Sequence, residues 1–227
     1  MIRIGVLISG NGSNLQAILD ACGEGRIPGR VVVVISDRAD AFGLERARRA
    51  GVEAVHLDPG AYPNRTAFDA ALADRLLSRG VDLVCLAGYM RLVRKPMLTA
   101  FPNRILNIHP SLLPAFPGLD AQGQALDYGV KVAGCTVHFV TAGMDEGPII
   151  LQAAVPVLET DTHEDLRVRI QAQEHRIYPE AVRLFAEGRL QLEGRRVRIL
   201  EPGACGAVLH GDSAAAPGVG SAGEGGP

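Results

Sequence analysis

The chain has 227 residues, of which 47% are apolar and 21% charged, and its formal net charge is −2. This length allows one to two domains, and a chain of this size buries about 70% of its unfolded surface without a disulfide or metal. The charge balance argues against nucleic-acid and anionic-membrane partners, which both need a basic excess. The apolar content excludes disorder over most of the chain.

The cysteines Cys22, Cys85, Cys135 and Cys205 lie far apart, and the sequence holds no C-x-x-C pair and no H-E-x-x-H motif. We therefore expect reduced thiols, mostly small core residues, and no metal site, because zinc sites need clustered ligands. The N-terminal apolar run is too short for a signal peptide, and no run approaches the about 18 residues of a membrane span. These features predict a soluble, cytoplasmic protein.

The first hundred residues predict a regular alternation of strands and helices. Strands are predicted at residues 2–8, 31–35, 52–57 and 81–87, and helices at 15–22, 42–50 and 65–77. Such alternation is typical of a parallel, doubly wound, Rossmann-like α/β sheet with helices on both faces. The uniformly apolar second strand agrees with a sheet covered on both sides.

The second half predicts an antiparallel extension of this sheet. Strands are predicted at 105–109, 131–140 and 149–157, a helix from near 162 to about 187, and a closing hairpin at 190–192 and 197–200. Thr162 and Asp165 form a capping-box pattern, and Pro179 predicts a kink or a break into two helices. We expect one domain over 1–202, with halves 1–100 and 101–202, and a disordered Gly/Ala-rich tail at 203–227.

A glycine-containing turn at 9–14 joins the first strand to the first helix. Such a turn directs backbone N–H groups and a helix N-terminus at an anion, usually a phosphate. Leu15 occupies the third glycine position of the dinucleotide fingerprint and no P-loop lysine follows, so a mononucleotide or sugar phosphate fits better. A tight structural turn with Ser13 and Asn14 as helix caps is the alternative.

Asn107 and His109 are two residues apart on a predicted strand, so their side chains share one face near its carboxyl end. They could stabilise an oxyanion, and the imidazole could move a proton; the alternative is a structural histidine. Asp145 either orients His109 or forms a solvated turn. Three other histidines, His138 on a strand, His163 at a helix start and His210 in the tail, show patterns typical of structural positions.

Glu174 interrupts the apolar stripe of the long helix. A carboxylate on an inward face costs several kcal/mol unless it is paired or functional. We expect it to bind a substrate amine or hydroxyl pair, or to form an ion pair with an arginine such as Arg65 or Arg91.

Three segments together resemble the folate-dependent phosphoribosylglycinamide formyltransferase family of purine biosynthesis: I-S-G-N-G-S-N-L-Q at 8–16, L-N-I-H-P-S-L-L-P at 106–114 and Q-E-H-R-I-Y-P at 173–179. The resemblance covers roughly residues 1 to 200. The second segment is shared by the wider formyltetrahydrofolate hydrolase and transferase superfamily. The first segment is found in fewer members of that superfamily and favours this family among them. Asp120 departs from the pattern, because relatives usually carry histidine there, and this leaves the substrate-loop contacts open.

The resemblance implies the following site. Phosphate is held by Gly12, Ser13 and Asn14, and the ribose and glycinamide by Gln171, Ala172, Gln173 and Glu174. Folate is bound by Arg65, Met90, Arg91, Leu92, Val93, Asn107, Thr141, Ala142, Gly143, Met144 and Asp145.

By the same resemblance, Asn107, His109 and Asp145 are the catalytic trio. The implied reaction is direct formyl transfer from 10-formyltetrahydrofolate, as cosubstrate, to the amine of glycinamide ribonucleotide, without a metal. His109 and Asn107 stabilise the oxyanion, and Asp145 raises the basicity of His109. The expected partners are small molecules only, and the chain is expected to be a monomer or homodimer.

Four other functions fit less well. A formyltetrahydrofolate deformylase carries a regulatory domain ahead of its catalytic domain, whereas here the first strand begins at residue 2. A methionyl-tRNA formyltransferase carries a further C-terminal domain and a basic surface. A non-catalytic nucleotide- or folate-binding module, which the fold alone permits, predicts loss of the polar trio. A nicotinamide-dependent dehydrogenase would use Asp37 for a ribose, but Leu15 weighs against it.

Overall fold

The computed structural model describes residues 1–203, so the predicted tail, apart from Gly203, lies outside the described residues. The elements in chain order are β1 (Ile2–Ile8), α1 (Ser13–Gly23), β2 (Gly29–Ser36), α2 (Phe42–Arg49), β3 (Glu53–His56), a 3₁₀ turn (Pro59–Ala61), α3 (Arg65–Leu77), β4 (Leu83–Leu86), α4 (Lys95–Ala100), β5 (Ile105–His109), α5 (Ala121–Tyr128), β6 (Val132–Phe139), β7 (Ile149–Pro156), α6 (His163–Ala186), β8 (Leu190–Glu193) and β9 (Arg196–Ile199).

The strands form one sheet in the order β3-β2-β1-β4-β5-β6-β7-β9-β8. Strands β1 to β5 are parallel, and β6 and β7 continue the sheet in antiparallel pairing. This architecture confirms the predicted fold class. The chain reverses its direction of winding between β1 and β4, and ligands of doubly wound sheets bind at the carboxyl ends of strands beside such a point.

Two apolar layers cover the sheet. One face packs against α1, α2, α5 and α6, with Leu15, Leu44 and Ile170 among its buried side chains. The other face packs against α3 and α4, with Phe68 and Met97 among its buried side chains. Because side chains alternate along each strand, the two layers share the same strands and fix the register of the sheet.

The predicted break of the long helix into two is wrong, because α6 runs without interruption from residue 163 to 186 and includes Pro179. Proline removes one intrahelical hydrogen bond, whereas the buried side chains on both sides of it, Tyr178 and Ala181, keep the helix packed on the sheet. The capping box at Thr162 and Asp165 is confirmed.

The closing hairpin of β8 and β9 is also confirmed, and β9 joins the sheet through a single parallel register pair with β7, Ile149 opposite Arg196. Cys22, Cys85 and Cys135 are free thiols. Residues 1–203 contain no helix that is long and apolar enough to cross a membrane.

Candidate active site

The turn after β1 packs tightly against the start of α2. Gly12 has a φ of +74°, and a Cβ atom there would lie 2.8 Å from the Cα of Gly43. The amide of Gly43 donates to the carbonyl of Gly10 at 3.0 Å. Arg46 holds the turn from outside, since its guanidinium donates to the carbonyl and the side-chain oxygen of Asn11, both at 2.9 Å. The glycines and Arg46 therefore fix the shape of this turn.

Helix α1 begins at Ser13 with Gly12 as its N-cap, and no described side chain caps it. The interpretation of Ser13 and Asn14 as helix caps is therefore wrong. Amide groups in the first turn of an uncapped helix lack intrahelical acceptors, and the helix dipole adds positive potential there. The turn at the carboxyl end of β1 thus has the properties of an anion-binding site.

Helix α6 brings a second predicted segment against this turn. Gln171 donates to the hydroxyl of Ser13 at 3.0 Å, and the amide of Asn14 donates to Glu174 at 2.9 Å. These contacts join residues about 160 positions apart in the chain. Ala172 is exposed, and the side chain of Gln173 instead accepts from Arg176 at 3.0 Å.

Glu174 is only 8% exposed. Burial raises the pKa of this carboxyl, whereas the hydrogen bond from Asn14 and the nearby charge of His109 act in the opposite direction. The predicted ion pair with Arg65 or Arg91 is wrong: within the described part of the chain, Arg91 instead approaches Asp37, at 3.9 Å, and Glu174 has an amide as its hydrogen-bond partner.

The side chains of Asn107 and His109 share one face of β5, and a loop covers His109. The imidazole is buried, its Nε2 donates to the carbonyl of Phe116 at 2.9 Å, and its Nδ1 lies 3.5 Å from a carboxylate oxygen of Asp145. The same oxygen accepts the amide of Gly118 at 2.9 Å. Both ring nitrogens of His109 therefore face oxygen atoms.

The loop after β6 carries Asp145 back toward β5. Asp145 has a φ of +55°, in the left-handed region where aspartate is among the better tolerated residues. A Cβ atom at Gly147 would overlap the carbonyl oxygen of Phe139, so only glycine allows this close return of the chain.

His138 is a site residue that sequence analysis missed. It lies directly opposite Asn107 on β6, and its Nε2 is 3.2 Å from the amide nitrogen of Asn107 and 3.7 Å from Asp145. Burial lowers the pKa of this imidazole. The only signal in the sequence was a polar residue on a strand adjacent to β5, and its meaning depends on a register that the sequence does not state.

The segments predicted to bind folate follow β4 and β6, the two strands on either side of β5. On one side, a cavity of ≈ 190 Å³ is lined by Arg65, Asp69, Met90, Arg91 and Leu92. The backbone amide of Met90 is already engaged, because it donates to Ser9 at 2.9 Å. Val93, the next residue after this lining, is buried.

On the other side of β5, residues 141–145 follow Val140, which packs in the same apolar cluster as Val93. Thr141 and Ala142 are exposed, Gly143 is half-buried, and the Met144 side chain is exposed. Asp120, at the departure from the family pattern, is the N-cap of α5 and pairs with His163 at 2.7 Å.

This arrangement, with polar groups at the carboxyl ends of β1 and β5, is the setting of a group-transfer enzyme on a doubly wound sheet. A family model described as formyl transferase matches residues 2–182, and the chain belongs to this family.

Two proteins and one crystal structure show which members of the family this chain is similar to. The phosphoribosylglycinamide formyltransferase of Escherichia coli is 50% identical, over 84% of this chain and 90% of that protein. The trifunctional purine biosynthetic protein adenosine-3 of Bos taurus is 47% identical over 84% of this chain but only 19% of that protein. The crystal structure of glycinamide ribonucleotide transformylase 1 from Symbiobacterium toebii has 85% sequence identity and a TM-score of 0.88, covering 88% of this chain and 95% of that chain.

Proposed function

We propose that this chain transfers the formyl group of 10-formyltetrahydrofolate to the amine of glycinamide ribonucleotide, as a step of purine biosynthesis. The products are formylglycinamide ribonucleotide and tetrahydrofolate. The names of the relatives support this substrate pair. Residues 1–202 are proposed to form the catalytic domain.

The observation that carries this proposal is the position of Glu174. Its carboxylate accepts from Asn14 in the turn after β1, and it lies near enough to His109 for that residue to affect its pKa. Glu174 therefore links the anion-binding turn to the polar trio. A substrate with a phosphate at one end and an amine at the other would contact both of these groups.

The chain's own groups suggest how the ribonucleotide is held. The backbone amide groups of Ser13 and Asn14 donate to the phosphate, in the positive field of the α1 N-terminus. Glu174 and Gln171 supply an acceptor and an amide for the ribose hydroxyls and the glycinamide. A buried carboxylate is stabilised by such partners, since its burial without them is costly.

The folate segments combine two chemistries that suit a folate. Met90, Leu92 and Met144 expose large apolar side chains, which suit the flat faces of a ring system. Arg65 and Arg91 line the neighbouring cavity, and arginine is well adapted to bind carboxylates in bidentate geometry. These residues are proposed to hold the folate cosubstrate.

The trio performs the transfer. The bound cosubstrate supplies the formyl carbon that the substrate amine attacks. Asn107 and His109 donate hydrogen bonds to the formyl oxygen as negative charge develops there, and the donor of His109 is the Nε2–H that Phe116 accepts in this structure. Asp145 holds the ring through Nδ1 and stabilises its protonated form. The proton released by the attacking amine passes to the leaving folate nitrogen, through His109 or a water.

The test is the absorbance change on formyl transfer, measured with and without glycinamide ribonucleotide. Removing His109 by His109→Ala is expected to lower kcat by about 100- to 1,000-fold. The matched control is His56→Ala, at an exposed histidine of β3, which is expected to retain activity. Folate product formed without the ribonucleotide would identify a deformylase, and ligand binding without turnover would identify a binding module.

A further inference from the structure

The antiparallel pairing of β5 and β6 places a polar side chain of β6 against a member of the trio. Asn107 is opposite His138, and His109 is opposite Thr136. Directly opposed residues of an antiparallel pair have Cβ atoms about 4.5–5.5 Å apart, so their side chains interact. His138 is only 2% exposed, so its ring is almost completely shielded from bulk water.

The hydrogen bonds of His138 select one tautomer. Its Nδ1 lies 2.9 Å from the carbonyl oxygen of Phe139, and a carbonyl oxygen only accepts. The proton of the neutral ring is therefore on Nδ1, and Nε2 carries a lone pair. This lone pair faces the amide nitrogen of Asn107 at 3.2 Å, which only donates.

This tautomer in turn selects the orientation of the Asn107 amide. Oxygen and nitrogen of an asparagine amide are told apart by their partners. With the amide reversed, its oxygen would face the Nε2 lone pair, and two acceptors would oppose each other. The observed orientation uses one N–H of Asn107 on His138, and within residues 1–203 the second N–H has no partner and can donate elsewhere.

The surroundings of His138 favour its neutral form. The titratable groups that face it from the neighbouring elements are Asp145, at 3.7 Å, and His109. Burial lowers the pKa of His138, which outweighs the opposing influence of Phe139 and Asp145. A neutral ring keeps the acceptor at Nε2.

We propose that His138 is a positioning residue that orients the Asn107 amide, so that its free N–H donates to the formyl oxygen. The inference rests on the proposed function. It adds that His138 determines the direction in which the Asn107 N–H points. His138 itself acts only through Asn107.

The test compares two substitutions of similar size. His138→Leu removes the acceptor and is expected to lower kcat by about 10- to 100-fold. This loss is smaller than the about 100- to 1,000-fold loss expected when a donor itself is removed. The KM of both substrates is expected to change little. His138→Gln offers an amide oxygen to Asn107 and is expected to recover most of this loss. Thermal unfolding of both variants checks that they remain folded at the assay temperature.

An independent readout is the ¹⁵N spectrum of the imidazole rings in the wild-type protein, in which His138 is expected to carry its proton on Nδ1. A proton on Nε2, or a wild-type kcat in His138→Leu, would overturn the inference while leaving the proposed function intact. If the His138→Leu variant does not fold, the His138→Gln variant tests the inference by comparison with Asn107→Leu, which removes the donor itself. A folded His138→Gln variant with a kcat as low as that of Asn107→Leu would also overturn the inference. Absence of turnover in the wild type would overturn the proposed function and, with it, this role of His138.

Discussion

The hydroxyl of Tyr178 ties α6 to the two strands beneath the candidate site. Tyr178 is fully buried, and its hydroxyl lies 3.0 Å from the carbonyl oxygens of both Leu86 and Leu106. These residues belong to the neighbouring strands β4 and β5, and Leu106 immediately precedes Asn107. We expect Tyr178→Phe to destabilise the fold, because it removes the donor and leaves the ring in place.

The size of the effect follows from the geometry. A hydroxyl has one proton, which the two carbonyl oxygens share, so the loss is that of one hydrogen bond rather than two. Such a bond contributes about 0.5–1.5 kcal/mol, and a buried acceptor left without a partner costs about 1–3 kcal/mol. The ring still fills its space, so no cavity of the kind left by a truncated side chain forms. We expect a loss of about 1–2 kcal/mol.

Urea unfolding followed by circular dichroism measures this loss, as a lower midpoint with an unchanged slope. The matched control is Tyr128→Phe, since Tyr128 is 80% exposed and the same atom is removed. The control is expected to leave the free energy of unfolding within about 0.5 kcal/mol of the wild type. Equal stability of the two variants would refute the reasoning, because it would mean that the buried hydroxyl contributes nothing.

Two further predictions concern the substrate side of the site. The substitution Glu174→Gln keeps an acceptor for Asn14 and removes the buried charge. Because burial raises the folded-state pKa of Glu174, the wild type loses stability as pH rises through that pKa. The variant is therefore expected to have the higher free energy of unfolding at neutral pH, and this difference is expected to shrink on acidification. Unfolding curves recorded across pH measure it, and a difference that does not change with pH would contradict the prediction. Arg46→Ala releases Asn11 and is expected to raise the KM for the ribonucleotide about tenfold, with little change in the KM for the folate. Arg49→Ala, at an exposed position of the same helix, is the control, and an equal rise there would contradict a specific role of Arg46.

Elements with strong local signals could be predicted from the sequence. The bounds of β1, α3 and β5 agree with the predicted ones, because apolar periodicity and local end signals define them, such as the N-cap Asn64 of α3. The short helices α4 and α5 were missed. The N-cap of α5, Asp120, has a left-handed conformation, and the few buried residues of this helix give no clear period. The pairing of β9 with β7 is a long-range contact that no local pattern records.

The site was predictable to the extent that its chemistry shows within one element. Asn107 and His109 share a face of one strand, and Glu174 is a charged residue in an apolar stripe. The partners were not predictable in this way. Glu174 pairs with Asn14 rather than with an arginine, and His138 was taken for a structural histidine, because both contacts depend on how distant segments meet.

The two parts of the candidate site differ in how much of the chain each needs. Asn107 and His138 are 31 residues apart and meet within one pair of adjacent strands. The turn after β1, in contrast, meets its partner on α6 only across 160 residues. During synthesis on the ribosome, Asn107, His109, His138 and Asp145 are therefore all present before α6 has been made. The turn cannot meet α6 until almost the whole described chain exists, so a truncated product that ends before α6 would retain the trio but lack the α6 side of the proposed ribonucleotide site.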